Sequence, residues 1–402
     1  MIAGLLKDSG HSIGEDGDIS IVNTCVVKTP TERKIIKRLK DLEKQNKKVI
    51  VTGCMPAAMP EFVEHFKKFS FIGTNVFDIV KAVDSVRNNE RFIKILDVGE
   101  KVCVPKIRHN PVIEIVPIAE GCTGACSYCI TRLARGKLKS YKKEKILKQI
   151  ENALKDNVKE IWITAQDTGA YGIDIDSNLP ELLNAISDLD GNFRVRVGMM
   201  NPNHVLNIVD DLIESYKNEK IYKFLHIPVQ SGDDNILKHM GRQYSVDDFR
   251  GIIKEFRDKV NPTISTDIIA GYPTESEDEF QNSINFIEEV KPDVLNITRF
   301  WSRPNTRASK LKELPGRVTK DRSRRMNRLF EKIGLEKNKK WISWGGLALV
   351  SEKNDGTYTA RNDYYKPIII KPDQKLLGKF VNVEIEDATY YDLRGKIIGY
   401  TV

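Results

Sequence analysis

The 402-residue chain contains no run approaching the roughly 18 consecutive apolar residues of a membrane span. Its N-terminus, Met1-Ile2-Ala3-Gly4-Leu5-Leu6, turns polar at Lys7-Asp8, too soon for a secretory signal. Internal repeats and low-complexity tracts are missing too. A composition of 40% hydrophobic and 30% charged residues excludes a disordered or fibrous polymer. A cytosolic globular protein of two or three domains is expected. Cysteine is scarce: Cys25, Cys54, Cys103, Cys122, Cys126 and Cys129 are all there is. Without an export signal, these argue against structural disulfides and for metal or redox chemistry.

The formal charge of +8 is unevenly spread. Residues 303–340 hold fourteen Lys/Arg against four Asp/Glu, a net of +10, so the rest of the chain sums to −2. Such a segment is an electrostatic footprint for a polyanion such as nucleic acid, or a solvated helix face, and charge alone leaves both open.

Apolar periodicity gives the organisation. Strands at 18–25, 48–54 and 69–73 alternate with helices at 31–45, 61–67 and 76–87, which implies a small parallel α/β domain over residues 1–105. From Pro111, six strand candidates recur at 112–117, 160–164, 193–198, 224–229, 264–271 and 294–300, with helices at 143–155, 204–216 and 277–290 between them. Six units fall short of a complete eight-unit barrel, so residues 106–340 read as a partial, open (β/α)6 barrel ending in the basic helix and linker. Residues 341–402 change to short β-rich runs at 346–350, 357–360, 367–370 and 381–385 between Gly, Asn and Asp turns, the pattern of a small OB-like β-barrel. The fold class is α/β throughout the first two domains.

The sharpest signal is Gly121-Cys122-Thr123-Gly124-Ala125-Cys126-Ser127-Tyr128-Cys129 after the first barrel strand. Zinc sites normally close with four protein ligands, and no fourth Cys or His lies nearby. Three thiolates on a cubane leave one iron open to a substrate or cofactor. CxxxCxxC in this position resembles the radical S-adenosylmethionine (SAM) superfamily, in which a reduced [4Fe-4S] cluster cleaves SAM to a 5′-deoxyadenosyl radical. Further segments narrow the likeness: Ala134-Arg135-Gly136, Thr164-Ala165-Gln166-Asp167, Tyr171-Gly172, His226-Ile227-Pro228-Val229-Gln230-Ser231-Gly232-Asp233, Met240-Gly241-Arg242-Gln243-Tyr244 and Asp267-Ile268-Ile269-Ala270-Gly271-Tyr272-Pro273-Thr274-Glu275. Together they resemble the radical-SAM methylthiotransferases over essentially the whole chain. Ile130-Thr131-Arg132-Leu133-Ala134-Arg135-Gly136 is closest to the archaeal and eukaryotic branch. That branch acts on N6-threonylcarbamoyladenosine beside the tRNA anticodon, converting it to the 2-methylthio derivative.

The resemblance implies an N-terminal domain with a second [4Fe-4S] cluster, a radical-SAM barrel and a terminal TRAM domain. Its expectations are Cys122, Cys126 and Cys129 on the catalytic cluster, Cys25 and Cys54 on the sulfur-presenting one, SAM as co-substrate, tRNA as partner and an electron donor protein. Cys25 and Cys54 each end a strand, so neighbouring parallel strands would bring two thiolates together at the carboxyl edge of the sheet. Cys103 resembles no family ligand and reads as structural.

Tyr128 is expected beside the adenine of SAM. Gln166, Asp167, Gln230 and Asp267 lie at or near strand ends, where barrel enzymes collect functional groups, so they either contact SAM or cap the following elements. His226 is given no role. Arg299, Arg303, Arg307, Arg361 and Lys366 are candidate RNA contacts, with Tyr364, Tyr365 and Trp344 as stacking faces or core. Two rivals stand: a methylthiotransferase for another modified adenosine or a ribosomal protein, and a noncatalytic metal-containing RNA-binding protein. Eight Lys/Arg against eight Asp/Glu in residues 341–402 favour RNA over a basic protein loop. Family members hold the second cluster with three cysteines, the first after a strand preceding the opening helix. Here that helix, ending near Gly10, begins at Met1, so the sequence predicts that a short N-terminal segment is lacking.

Overall fold

The computed structural model describes residues 1–95, 99–371 and 374–400, arranged as two compact units. The first comprises Met1–His109, Glu120–Tyr141 and Trp301–Leu311. Its centre is a parallel sheet of β1 (Ile19–Thr24), β2 (Lys48–Gly53) and β3 (Ser70–Gly73), in that order. The β-branched runs of β1 and β2 favour extended backbone, and the helix Thr29–Lys44, with Pro30 in its first turn, returns the chain to make them parallel. Phe62, Phe66, Phe69 and Phe71 fill one side of the sheet, with the rings of Phe66 and Phe69 stacked 5.3 Å apart. The opening helix, Ile2–Asp8, closes as its sequence suggests: Gly10 takes φ +82° and His11 donates its amide proton to the Leu6 carbonyl.

The second unit comprises Asn110–Ala119, Lys142–Phe300 and Lys312–Val402. Six strands follow one another in chain order: β4 (Ile113–Pro117), β5 (Glu160–Thr164), β6 (Arg194–Val197), β7 (Phe224–His226), β8 (Thr263–Ala270) and β9 (Val294–Arg299). All ladders are parallel, and the triplets β4-β5-β6 and β7-β8-β9 are joined where Val195 pairs with Ile221. This is the open (β/α)6 sheet that the spacing implied. Two details differ. The helix expected over 204–216 is two, Pro202–Val205 and Val209–Lys217, the second opening on Asp210 and Asp211, which suit a helix N-terminus. The strand expected over 224–229 ends at His226, just before Pro228, which has no N–H to give to a ladder.

The terminal strands β10 (Gly345–Lys353), β11 (Tyr358–Asn362), β12 (Pro367–Ile370), β13 (Phe380–Ala388) and β14 (Leu393–Tyr400) close in the order β10-β11-β12-β14-β13. β14 has no counterpart in the sequence reading, because Gly395 and Gly399 interrupt its apolar pattern. Leu349 and Phe380 of this barrel pack on Val112 and Ile113, and Tyr365 sits among Tyr222 and Phe224. Arg194 pairs with Asp363 at 2.9 Å. These partners stand at the amino ends of β4, β6 and β7, so the small barrel seals the end of the sheet opposite to its carboxyl edge.

That seal revises part of the proposed RNA surface. The Arg361 guanidinium lies 4.3 Å from the centre of the Tyr365 ring and bonds Glu352 at 2.8 Å. The amine of Lys366 is buried, 3.0 Å from both Asp293 and the Asn338 side chain. Tyr365 is core, Trp344 packs against the barrel interior and Tyr364 against the Trp341 ring. Burial of an aromatic or a cation is affordable here only because each finds a partner in the joint.

A buried ion pair ties the long helix Gly316–Lys339 to the end of β8. Glu275 accepts from the Gly271 amide at 2.8 Å and from Arg322 at 2.8 Å. Burial pushes its carboxyl up to about 7 against the pull of Arg322. Because the folded-state value is raised, the contribution of protonation is complete below about pH 4.5 and lost as pH rises through 7. Arg322→Leu is expected to destabilise the protein by about 3–5 kcal/mol at pH 8, where a lone buried carboxylate remains, and by less at pH 5.5. Chemical denaturation at both values checks this; equal losses would show that the carboxylate charge is not what Arg322 serves.

Candidate metal centres

Cys122, Cys126 and Cys129 lie in the first unit on the loop leading to the helix Thr131–Arg135, and none is in a disulfide. The loop is held by its own backbone: the Cys122 amide donates to Gly136 at 3.3 Å and the Cys129 amide to Cys126 at 3.2 Å. The three residues line one cavity of about 450 Å³ with Arg132, Asn305 and Arg307. A methyl group on Gly124 would stand 3.2 Å from the Cys122 sulfur and 3.8 Å from that of Cys126, so both sulfurs face the same small space. The Gly124 amide donates to the Cys122 sulfur at 3.2 Å, the kind of hydrogen bond that tunes an iron–sulfur centre. Among the described residues, no three His, Cys, Asp or Glu side chains converge on a single ion. Three thiols on the wall of one cavity suit a group that takes three protein thiolates, as an iron–sulfur cluster with one open iron does.

Two candidate RNA contacts belong to this unit. Arg307 is exposed, lines the cysteine cavity and donates to the Ala125 carbonyl at 2.5 Å. Arg303 is buried, ion-paired with Glu32 and bonded to the Thr29 hydroxyl at 3.0 Å, so it fastens the unit internally and offers RNA nothing. Tyr128, between two of the cysteines, is half-buried.

β1 and β2 are register neighbours, with Thr24 opposite Gly53, so Cys25 and Cys54 leave the sheet side by side, both half-buried. The Cys54 amide donates to the Thr24 carbonyl at 3.0 Å, and the Thr24 hydroxyl donates to Thr52 at 2.6 Å while accepting from the Met55 amide at 3.1 Å. Gly53 has φ +91°, and a Cβ there would meet the Thr24 carbonyl oxygen at 2.3 Å. Arg135, at the end of the helix behind the cysteine loop, stands within electrostatic reach of Cys54 and is held by Glu120 at 2.7 Å. Glu120 also receives Lys101 at 2.6 Å. Sequence reasoning quoted Arg135 within a motif but gave it no task, and missed Glu120 and Lys101, which no spacing rule marks. Cys103, read as structural, is exposed with φ +58° and packs in no core.

In the second unit, Asp167 behaves as the capping alternative foresaw. Its Oδ1 accepts from the Gly169 amide at 3.1 Å and the Asn201 amide at 3.0 Å, and its Oδ2 meets His204 Nδ1 at 2.7 Å. Arg242 continues the network to the Asn201 side chain at 2.8 Å and to Tyr244 at 2.9 Å. His204, Asn201 and Arg242 received no role from sequence, because their partners are distant in the chain. Asp267 is bound by His226 at 3.3 Å and Asn296 at 2.6 Å across adjacent strands. Gln230 takes φ +71°, a strained conformation for a residue with a side chain, locked by hydrogen bonds in which its amide donates to the Asp267 carbonyl and its carbonyl accepts from the Ile269 amide. Gln166 and Arg299 are half-buried.

Comparison with known proteins is consistent along the chain. Residues 1–73 match the uncharacterized protein family UPF0004, residues 116–287 the radical SAM superfamily, and residues 347–398 the TRAM domain. The chain is 45% identical over 409 residues to the probable threonylcarbamoyladenosine tRNA methylthiotransferase of Pyrococcus abyssi, covering 99% of this chain and 96% of that one. It is 34% identical over 414 residues to the threonylcarbamoyladenosine tRNA methylthiotransferase of Homo sapiens, covering 99% and 71%. Among solved structures, the radical S-adenosylmethionine methyltransferase TsrM from Kitasatospora setae superposes with a TM-score of 0.54 at 13% identity, covering 76% and 70%, a likeness of fold alone. Taken with the three-cysteine loop, the open (β/α)6 sheet and the closed terminal barrel, these matches show that the chain belongs to the threonylcarbamoyladenosine tRNA methylthiotransferases, a radical-SAM family.

Proposed function

We propose that this protein methylthiolates C2 of the adenine in N6-threonylcarbamoyladenosine of tRNA by radical-SAM chemistry. The observation that carries the reading is that two thiol sites of different make, the Cys122–Cys126–Cys129 loop and the strand-end pair Cys25 and Cys54, occupy one compact unit. When bound, a [4Fe-4S] cluster on the first site supplies the low-potential electron that SAM cleavage needs, and a second on the strand-end pair presents the sulfur.

The chain's own groups then have definite work. The Gly124 amide steadies the Cys122 sulfur by a hydrogen bond, and the charge of Arg135, anchored by Glu120, favours a thiolate at Cys54. Tyr128, Gln166, Gln230 and Asp267 remain as SAM contacts. Asp167 acts indirectly, because both its oxygens are spent on holding Asn201 and His204 in place. Of the five proposed RNA cations, Arg299 and Arg307 stay in that role. An electron donor protein is required, and the compartment is the cytoplasm; among the described residues no helix is long and apolar enough to cross a membrane.

Cys126→Ala should reduce SAM cleavage to background, since a cluster lacking one of three thiolates is lost or misoriented. Cys25→Ala should keep measurable cleavage to 5′-deoxyadenosine while the methylthiolated nucleoside vanishes from tRNA hydrolysates analysed by mass spectrometry. Parallel loss of both activities in the Cys25 variant would argue against two separate sites. A colourless, zinc-containing protein from anaerobic purification would favour the noncatalytic alternative.

Gly53→Val offers a second check. The left-handed backbone alone costs a branched residue about 1–3 kcal/mol, and the clash with Thr24 adds to it. Iron and sulfide bound per reconstituted chain should fall towards the content of one cluster. Undiminished iron would detach the β1–β2 junction from cluster binding.

A further inference from the structure

The structure sorts the basic segment into spent and unspent cations. On the helix Gly316–Lys339, the side facing the unit's interior buries Met326, Phe330 and Ile333, and its cations are consumed: Arg322 by Glu275, Arg325 by Glu277 and Lys337 by Asp293. The opposite side carries Arg317, Lys320, Arg324, Arg328, Lys332 and Lys339, all exposed and at three-, four- and seven-residue steps. None of the six is held by an ion pair among the described residues. Only Asp321 and Glu331 share that side. From Arg317 to Arg328 the stripe runs about 17 Å at 1.5 Å per residue, and to Lys339 about twice that.

The stripe leads to an aromatic turn. Tyr390 and Tyr391, between β13 and β14, are 43% and 72% exposed. Their turn is tied: Thr389 donates to Asp392 twice, from its amide to the carbonyl at 2.8 Å and from its hydroxyl to the carboxylate at 3.0 Å, and the Tyr391 amide donates to the Thr389 hydroxyl at 3.1 Å. It is also stapled to the helix, because Asn338 donates to the Thr389 carbonyl at 2.9 Å and Gly334 lets the Tyr390 carbonyl approach where a Cβ would stand 2.7 Å away. Because its backbone is already ordered, Tyr391 loses only side-chain freedom on contact.

We infer that this face is the seat of the RNA substrate: the helix stripe tracks phosphates of a tRNA stem, and Tyr391 stacks on an unpaired base beyond it. The inference rests on the reading of tRNA as substrate and adds where it binds. Unpaired cations in a row suit a polyanion and release its counterions, and an exposed aromatic at the end of the row suits a splayed base. The five residues chosen from sequence missed this face because charge content does not reveal which cations are already paired.

The test is binding of a tRNA transcript across a series of KCl concentrations, with SAM cleavage in the absence of RNA as the check on folding. For the triple variant Arg317→Gln, Arg324→Gln, Arg328→Gln, affinity should fall more than tenfold at physiological salt, and the slope of log K against log salt should shrink by about one per lost phosphate contact. Tyr391→Ala should lose about tenfold or more with an unchanged slope. Arg250→Gln, half-buried and paired with Glu289, should change neither. If the triple variant does not fold, the single Arg324→Gln should still reduce the slope by about one. Unchanged affinity and slope in the stripe variants, while the wild type binds with steep salt dependence, overturn the inference and leave the substrate reading intact. Salt-independent or absent tRNA binding by the wild type overturns the substrate reading itself. Stripe variants that instead lose an acidic protein partner, with RNA affinity kept, also overturn the inference.

Discussion

Thr24 and Gly53 stand opposite each other at the carboxyl edge of β1 and β2, and the chain can turn there only because position 53 carries no side chain. One carbonyl, that of Thr24, takes the Cys54 amide and fixes where the strand-end thiols leave the sheet. The helix behind the three-cysteine loop then docks through Ile130 and Ala134 into the same hydrophobic cluster as Met55 and Ala58, just after Cys54. Arg135 follows from that packing rather than from any local rule. The placement of both thiol sites within the unit therefore depends on a single strand pairing and the apolar surface beside it.

What could be read beforehand was whatever depends on local periodicity or on spacing along the chain. The alternation of strands and helices gave the parallel sheets because a strand of β-branched residues and an amphipathic helix announce themselves within a dozen residues. The CxxxCxxC loop was equally plain, since its ligands are sequence neighbours. Illegible were the partners that only the fold brings together: Glu120 beneath Arg135, His204 on Asp167, Asn296 on Asp267. β14 escaped because two glycines dilute its pattern, and Cys103 because nothing local distinguishes a packed thiol from one on a left-handed turn.

Arginine and lysine were the residues most easily misjudged. Arg303, Arg361 and Lys366 look in sequence like any other surface cations, yet each is drawn inward by a carboxylate from elsewhere in its own unit. Burying such a charge is tolerable only when it is paired, so the fold selects which cations become structural and which remain available to a ligand. The long basic helix shows both outcomes on its two sides.

The joint at the amino ends of β4, β6 and β7 has a bearing on how the molecule is made. The side chain of Asn110 reaches the carbonyl of Ser351 at 2.7 Å, and Val112 and Ile113 find their cover in Leu349 and Phe380. The first barrel strand is thus completed by residues synthesised more than two hundred positions later. Tyr222 and Phe224 gain the ring of Tyr365 only once synthesis has reached the terminal barrel, and loop closure over that span is slow compared with helix formation. The joint at this end of the sheet therefore forms late in synthesis. A premature stop ahead of β14 would remove the strand that joins β12 to β13 and leave the terminal barrel unclosed.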